Sequence, residues 1–254
     1  MKEQINKKPI VLLPIETKVR ELDGMLLLAY ELIRNGFEVV IGPKREVNVS
    51  LDIIKPNIYV LDSAKKNKDK IAVSNKLKKS GAKIVVLDTE GAIFLSEDRF
   101  LDRLSPEILC NVEYYFCWGN EVKSIILKNN LFPLNKVFIT GYPSIDLTKT
   151  RFRSFYKNES DYLKNEYGRF ILINTNFSTI NHHSESLDLS VKLTEKEAGQ
   201  KKQQYNKEQF FILKSFLEAI DLILEEWTKH KIIIRPHPSE NHNFYKNYFR
   251  NNKK

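Results

Sequence analysis

Short apolar runs separated by helix-length stretches recur along the first half of the chain, and this alternation limits it to an α/β fold built on a parallel sheet. Residues 10–13, 37–41, 57–61, 84–87, 114–118 and 136–140 read as strands. Between them lie helical stretches at 19–34, through Ile53 and Ile54, and at 69–79, 97–101, 106–112 and 121–129. Gly36 and Gly81 stop the first helix and the Lys-rich one. Strands that are apolar throughout, rather than alternating, belong in a sheet covered on both faces.

From Gly141 to Asp161 the pattern loosens, which marks a crossing between a first domain over residues 1–150 and a second over 151–254. A new cycle opens with a strand at 170–174. The polar stretch from Thr175 to Asn206 follows, longer than the ~12–15 residues of ordinary loops, and reads as a mobile insertion. The helix at 207–229 places Phe210, Leu213, Leu217, Ile220, Leu224 and Trp227 on one face. A strand at 231–235, the segment Pro236-His237-Pro238 and a polar helix carrying Phe244 and Tyr248 complete the chain. Two strands and two helices cannot close a doubly wound layer, which needs roughly four to six strands. The first domain is therefore expected complete and the second incomplete, as in a fragment, a truncated reading frame or a chain finished by a partner.

The 254 residues are 42% hydrophobic and 11% aromatic, so the chain can bury a globular core. The formal net charge of +9 is spread over almost every helix and a basic end at Lys253 and Lys254. It suits anionic lipid, phosphorylated substrates, nucleic acid or simple solubility without choosing among them. Cys110 and Cys117 lie outside any zinc spacing, and Cys117 is expected as a reduced, buried thiol, which fits a reducing cytoplasm. Pro14 and Glu16 interrupt the first apolar run too early for a signal peptide, and no stretch approaches the ~18 apolar residues of a membrane span.

Ligands of open α/β sheets gather at the carboxyl ends of the strands, and the candidate residues sit there. The turn after the first strand has no Gly-x-Gly-x-x-Gly, which disfavours a standard dinucleotide site. Its Glu16, Lys18 and Arg20 face a cleft or, more plainly, cap and solvate the first helix. Asp88, Glu90 and Gly91 follow the strand at 84–87, where a carboxylate beside a low-dielectric strand gains basicity and can take a proton from a sugar hydroxyl. Acidic residues are equally at home in such loops. At the end of the strand at 231–235, two prolines fix the direction of His237, and Arg235 can pair with a phosphate through its planar fork. His182, His183, His230 and His242 form no recognised metal pattern, and no metal site is expected.

With these residues in hand, the chain resembles the bacterial surface carbohydrate (capsule and lipopolysaccharide) biosynthesis proteins. The segments Val11 to Glu21, Asp88-Thr89-Glu90-Gly91 and Arg235-Pro236-His237-Pro238-Ser239-Glu240 carry the resemblance. It implies a GT-B-like architecture similar to that of capsule and polymer transferases, in which an acidic-Gly motif and a His-Pro motif face each other across a cleft. An inverting glycosyltransferase is implied, moving sugar from a nucleotide-activated donor to a glycan or lipid-linked acceptor. Glu90, with Asp88, would act as base; His237, Arg235, Ser239 and Glu240 would bind the donor; Glu16, Lys18 and Arg20 would line the acceptor side. The nucleotide sugar is then a substrate and no further cofactor is implied. A cytoplasmic enzyme is implied, with peripheral attachment to the inner membrane open and no nucleic-acid partner. Such proteins continue past the Arg-Pro-His-Pro segment into loops that hold the nucleotide, so this short chain is expected to be impaired or inactive alone. Two alternatives stand: a nucleotide-sugar epimerase of the same architecture, and a non-catalytic polyanion-binding protein with steeply salt-dependent binding.

Overall fold

In a computed structural model, which describes residues 7–184, 200–227 and 231–251, the chain divides into two units, Met1–Tyr156 and Lys157–Lys254. The first unit runs β1 (Ile10–Ile15), α1 (Lys18–Arg34), β2 (Glu38–Pro43), α2 (Lys44–Val49), α3 (Leu51–Ile54), β3 (Ile58–Leu61), α4 (Lys68–Lys79) and β4 (Lys83–Leu87). It continues through α5 (Glu97–Asp102), α6 (Pro106–Leu109), β5 (Val112–Cys117), α7 (Asn120–Lys128), β6 (Val137–Ile139) and α8 (Pro143–Asp146). The second unit holds α9 (Lys157–Tyr167), β7 (Phe170–Asn174), α10 (Gln200–Glu226), β8 (Lys231–Arg235) and α11 (His242–Asn251).

The first six strands form one parallel sheet in the order β2-β1-β3-β4-β5-β6. Its core follows from the period-two geometry of a strand. On one face Leu12, Tyr59, Leu61, Ile84, Val86 and Tyr115 pack with Leu77, Phe100 and Ile126. On the other, Val11, Leu13, Ile15, Val60, Val85 and Leu87 meet Met25 and Ala29 of α1. Each such side chain, withdrawn fully from water, contributes about 1.5–3 kcal/mol. That a strand such as β1 buries both sets of neighbours explains why its sequence shows no polar alternation. Helix boundaries follow local chemistry: Gly36 takes the left-handed φ of 88° after α1, and the Asn67 side chain caps α4 by accepting from the Lys70 amide at 3.0 Å.

Because β1 is flanked by β2 on one side and β3 on the other, the connection from β1 to β2 runs one way along the sheet and the connection from β2 to β3 runs back past β1. A crevice opens outside the carboxyl ends of β1 and β3, the switch point at which open α/β sheets bind ligands.

In the second unit β7 and β8 pair in parallel, Phe170 opposite Lys231 through Asn174 opposite Arg235. Phe177, Ile180, Leu213, Leu217 and Tyr245 form its core. The strands stand where the apolar runs place them and α11 carries Phe244 and Tyr248 as expected, whereas α10 begins at Gln200, inside the stretch expected as an insertion. The stretch expected as a loose crossing is helical, with α8, a 3-10 helix at Thr150–Tyr156 and α9 in succession. No residue of α9 is buried, so no apolar stripe marks it in the sequence. The expected apolar face of α10 is buried at Leu213, Leu217 and Ile220, but Leu224 and Trp227 at its end are exposed. The middle of the expected insertion (185–199), His230, and the basic end at Lys253 and Lys254 lie outside the described residues. Among the described residues no helix is long and apolar enough to cross a membrane.

Candidate functional site

At the carboxyl edge of the six-stranded sheet, charged side chains from successive strand ends are laced together. Glu16, directly after β1, accepts from Lys44 Nζ at 3.2 Å, and its own amide donates to Glu21 at 2.8 Å. Lys44 also reaches Asp62, after β3, at 3.1 Å, and Lys70 reaches the other oxygen of Asp62 at 2.6 Å and Ser63 at 2.6 Å. Burial acts to raise the Asp62 carboxyl, but Lys70 and Lys44 outweigh it and hold it below the usual carboxylate range. Beside this group opens a pocket of about 580 Å3, with Ile15, Tyr59 and Leu61 among its apolar lining and Lys44, Arg45 and Lys70 among its cations.

The neighbouring loop after β4 is built around Asp88, which is 1% exposed. Its carboxylate pairs with Arg103 and accepts from the Glu90 amide at 2.9 Å and the Tyr115 hydroxyl at 3.4 Å. Burial pushes the Asp88 carboxyl above its ordinary value, against the opposing pull of Arg103 and the Glu90 amide. The Thr89 amide donates to the Asp62 carbonyl at 2.8 Å, tying this loop to the end of β3. On that support Glu90 stands in solvent, its side chain 54% exposed and 3.5 Å from Arg20. Arg20 in turn donates at 2.9 Å to Glu21, a carboxylate 1% exposed, and this bond heads the causes that raise the Arg20 pKa.

The structure therefore brings Glu16, Arg20, Asp88 and Glu90 to one edge, while Lys18 is exposed on the first turn of α1. It adds Lys44, Asp62, Lys70 and Arg103, which sequence reasoning passed over. Asp62 was findable there, since it ends the apolar run of β3 as Asp88 ends that of β4. Tyr142, after β6, could not have been: its ring is 3% exposed, lies parallel to Trp118 at 5.0 Å, and its hydroxyl has no hydrogen-bond partner among the described residues.

In the second unit, Arg235 ends β8 with an exposed side chain, and the next five residues form a turn. Glu240 is 1% exposed and organises it, accepting from the His237 amide at 2.9 Å, the Thr175 hydroxyl at 2.8 Å and the Tyr245 hydroxyl at 2.5 Å. His237 Nδ1 accepts from the Ser239 amide at 3.2 Å, so in the neutral ring the proton resides on Nε2. Arg235 and His237 thus present side chains to solvent, whereas Glu240 holds the turn from beneath. Among the described residues no group of three or more His, Cys, Asp or Glu side chains is arranged to hold a metal ion.

No protein-family model and no curated protein matches the chain. Solved structures do. The UDP-GlcNAc 2-epimerase of Neisseria meningitidis, determined with UDP-GlcNAc bound, superposes with a TM-score of 0.52 at 11% identity over 94% of this chain and 68% of its own. The UDP-N-acetylglucosamine 2-epimerase of Rickettsia bellii gives 0.57 at 12% identity over 98% of this chain and 66% of its own. The chain thus spans about two thirds of the length of these neighbours, and the likeness shows an α/β protein of the GT-B-like, Rossmann-layered fold.

Proposed function

We propose that the chain processes a nucleotide-activated sugar, with epimerisation of a UDP-N-acetylhexosamine the reaction best supported. The support is twofold: the likeness to two UDP-GlcNAc 2-epimerases, and the construction of two sites at strand carboxyl ends. The observation that carries the chemistry is the exposed Glu90 carboxylate on a loop pinned by buried Asp88. Inverting a carbon centre requires one group to remove a proton and another to return it. Glu90 is the proposed base, Asp88 holds its loop in place, and Arg20 lies 3.5 Å from its carboxylate. In the second unit Arg235 and the Nε2–H of His237 are the proposed contacts to the diphosphate, with Ser239 and Glu240 shaping the turn.

A second reading, the inverting glycosyltransferase of surface polysaccharide synthesis, is favoured by one feature. Val19, Ile93 and Leu95 are 93%, 87% and 94% exposed on the loop and helix start that carry Arg20 and on the loop that carries Glu90. Apolar side chains there suit a lipid-linked acceptor and peripheral contact with a membrane.

Incubating the chain with UDP-GlcNAc alone, and then with added glycan or lipid-linked acceptors, separates the two. Epimerised sugar formed without acceptor supports the first reading, and UDP release that requires acceptor supports the second. Absence of both products, with no binding of UDP-GlcNAc, contradicts the proposal.

A further inference from the structure

The loop that leaves β7 turns back onto the Arg235 to Glu240 turn. Phe177 and Ile180 root it in the core, and Asn181, 0% exposed, accepts from the Asn241 amide through its carbonyl at 2.9 Å. Its next residues are stitched to the turn: His182 forms an antiparallel bridge with Glu240, and the His183 amide donates to the Ser239 carbonyl at 2.9 Å. Ser239 thus bonds His183 through its carbonyl and His237 through its amide. The rings of His182 and His183 lie 4.1 Å apart.

The hydrogen bonds fix what each ring offers. His182 Nδ1 accepts from the Ser184 amide at 3.3 Å and lies 2.7 Å from the Ser184 hydroxyl, so in the neutral ring its Nε2–H is the donor, as in His237. His183 Nδ1 lies 3.3 Å from the Ser239 carbonyl, which can only accept, so Nδ1 carries a proton and, in the neutral ring, Nε2 is an acceptor. Around one turn the chain therefore gathers two imidazole donors, one imidazole acceptor and the Arg235 guanidinium. Donors of this kind match phosphate oxygens, and a lone acceptor among them matches a hydroxyl.

We propose that His182 and His183 belong to the nucleotide-binding surface: His182 joins His237 and Arg235 on the diphosphate, and His183 accepts from a sugar or ribose hydroxyl. This rests on the nucleotide-sugar reading above and extends it to residues that no motif in the sequence marks.

Isothermal titration of the full chain with UDP, CDP, GDP and ADP, and separately with inorganic pyrophosphate, tests it. The tightest nucleotide and pyrophosphate should each bind His182→Asn about tenfold more weakly, the effect of one charge-assisted hydrogen bond. His183→Asn should weaken the nucleotide and leave pyrophosphate unchanged. Imidazole nitrogen resonances of the unsubstituted chain supply a second readout that does not depend on any variant folding: those of His182 and His237 should move when pyrophosphate is added. If a nucleotide binds, Arg235→Ala weakens it and both histidine variants bind as tightly as the parent, His182 and His183 are not part of the surface and the inference is overturned. If neither nucleotide nor pyrophosphate binds the parent chain, the nucleotide-sugar reading itself fails and takes this inference with it.

Discussion

Trp118 lies parallel to Tyr142, ring centroids 5.0 Å apart, and donates through its indole nitrogen to the carbonyl of Asp88. Two loops, after β5 and β6, thereby brace the one that carries Glu90. Gly91 makes this fit, because a Cβ there would sit 2.6 Å from Trp118 Cδ1. Gly91→Ala should displace the indole, shift its fluorescence and lower stability by about 1–3 kcal/mol in a denaturant titration. A variant as stable as the parent with unchanged emission would show that the brace tolerates movement.

Asp62 is the shared anchor of Lys44 and Lys70, whose side chains are only 19% and 12% exposed. Asp62→Asn keeps the shape and leaves two partly buried ammonium groups without their common carboxylate. The expected loss at neutral pH is about 3 kcal/mol. The sign with pH follows from the depressed carboxyl: its contribution is complete above the unfolded value of about 3.9 and is lost as pH falls through the lower folded value. The stability difference between parent and variant should therefore be constant near neutrality and shrink in acid below about pH 4. Denaturation curves collected across that range check it.

Cys117 is 1% exposed, and burial pushes its thiol up to about 12, whereas Cys110 is exposed. A thiol reagent at neutral pH should modify one cysteine in the folded chain and both after denaturation. Mass spectrometry of the folded sample should place the label on Cys110.

The parallel sheet was legible because buried strands such as β1, β3 and β4 write themselves as unbroken apolar runs; β7 and β8, only half-buried, also fall on the residues that their apolar runs mark. The helical segment from Pro143 to Tyr167 was not, since α9 buries nothing and is steadied by an exposed Lys157–Asp161 pair at 2.6 Å instead of an apolar stripe. The rule that ligands gather at strand carboxyl ends located Glu16, Arg20, Asp88 and Glu90. It could not separate those that meet solvent from those that hold them, and so gave Asp88 the same standing as Glu90, just as the family resemblance gave Glu240 the same standing as His237. Burial separates them: Asp88 and Glu240 are each 1% exposed and saturated with hydrogen bonds. His182 and His183 look inert in sequence, because adjacent histidines on an extended strand would point apart. The bonds of His183 to Ser239 and the bridge of His182 to Glu240, more than fifty residues later, exist only in the folded unit.

The proposed function divides the labour between Glu90, the proposed base, and His237, the proposed nucleotide contact. Parallel measurement of UDP-GlcNAc affinity and turnover in the parent, Glu90→Gln and His237→Ala tests it most directly. Glu90→Gln should bind with parent affinity and turn over roughly 10²- to 10⁴-fold more slowly, while His237→Ala should lose affinity. Turnover by Glu90→Gln at the parent rate would contradict the assignment of the base and, with it, the proposed chemistry.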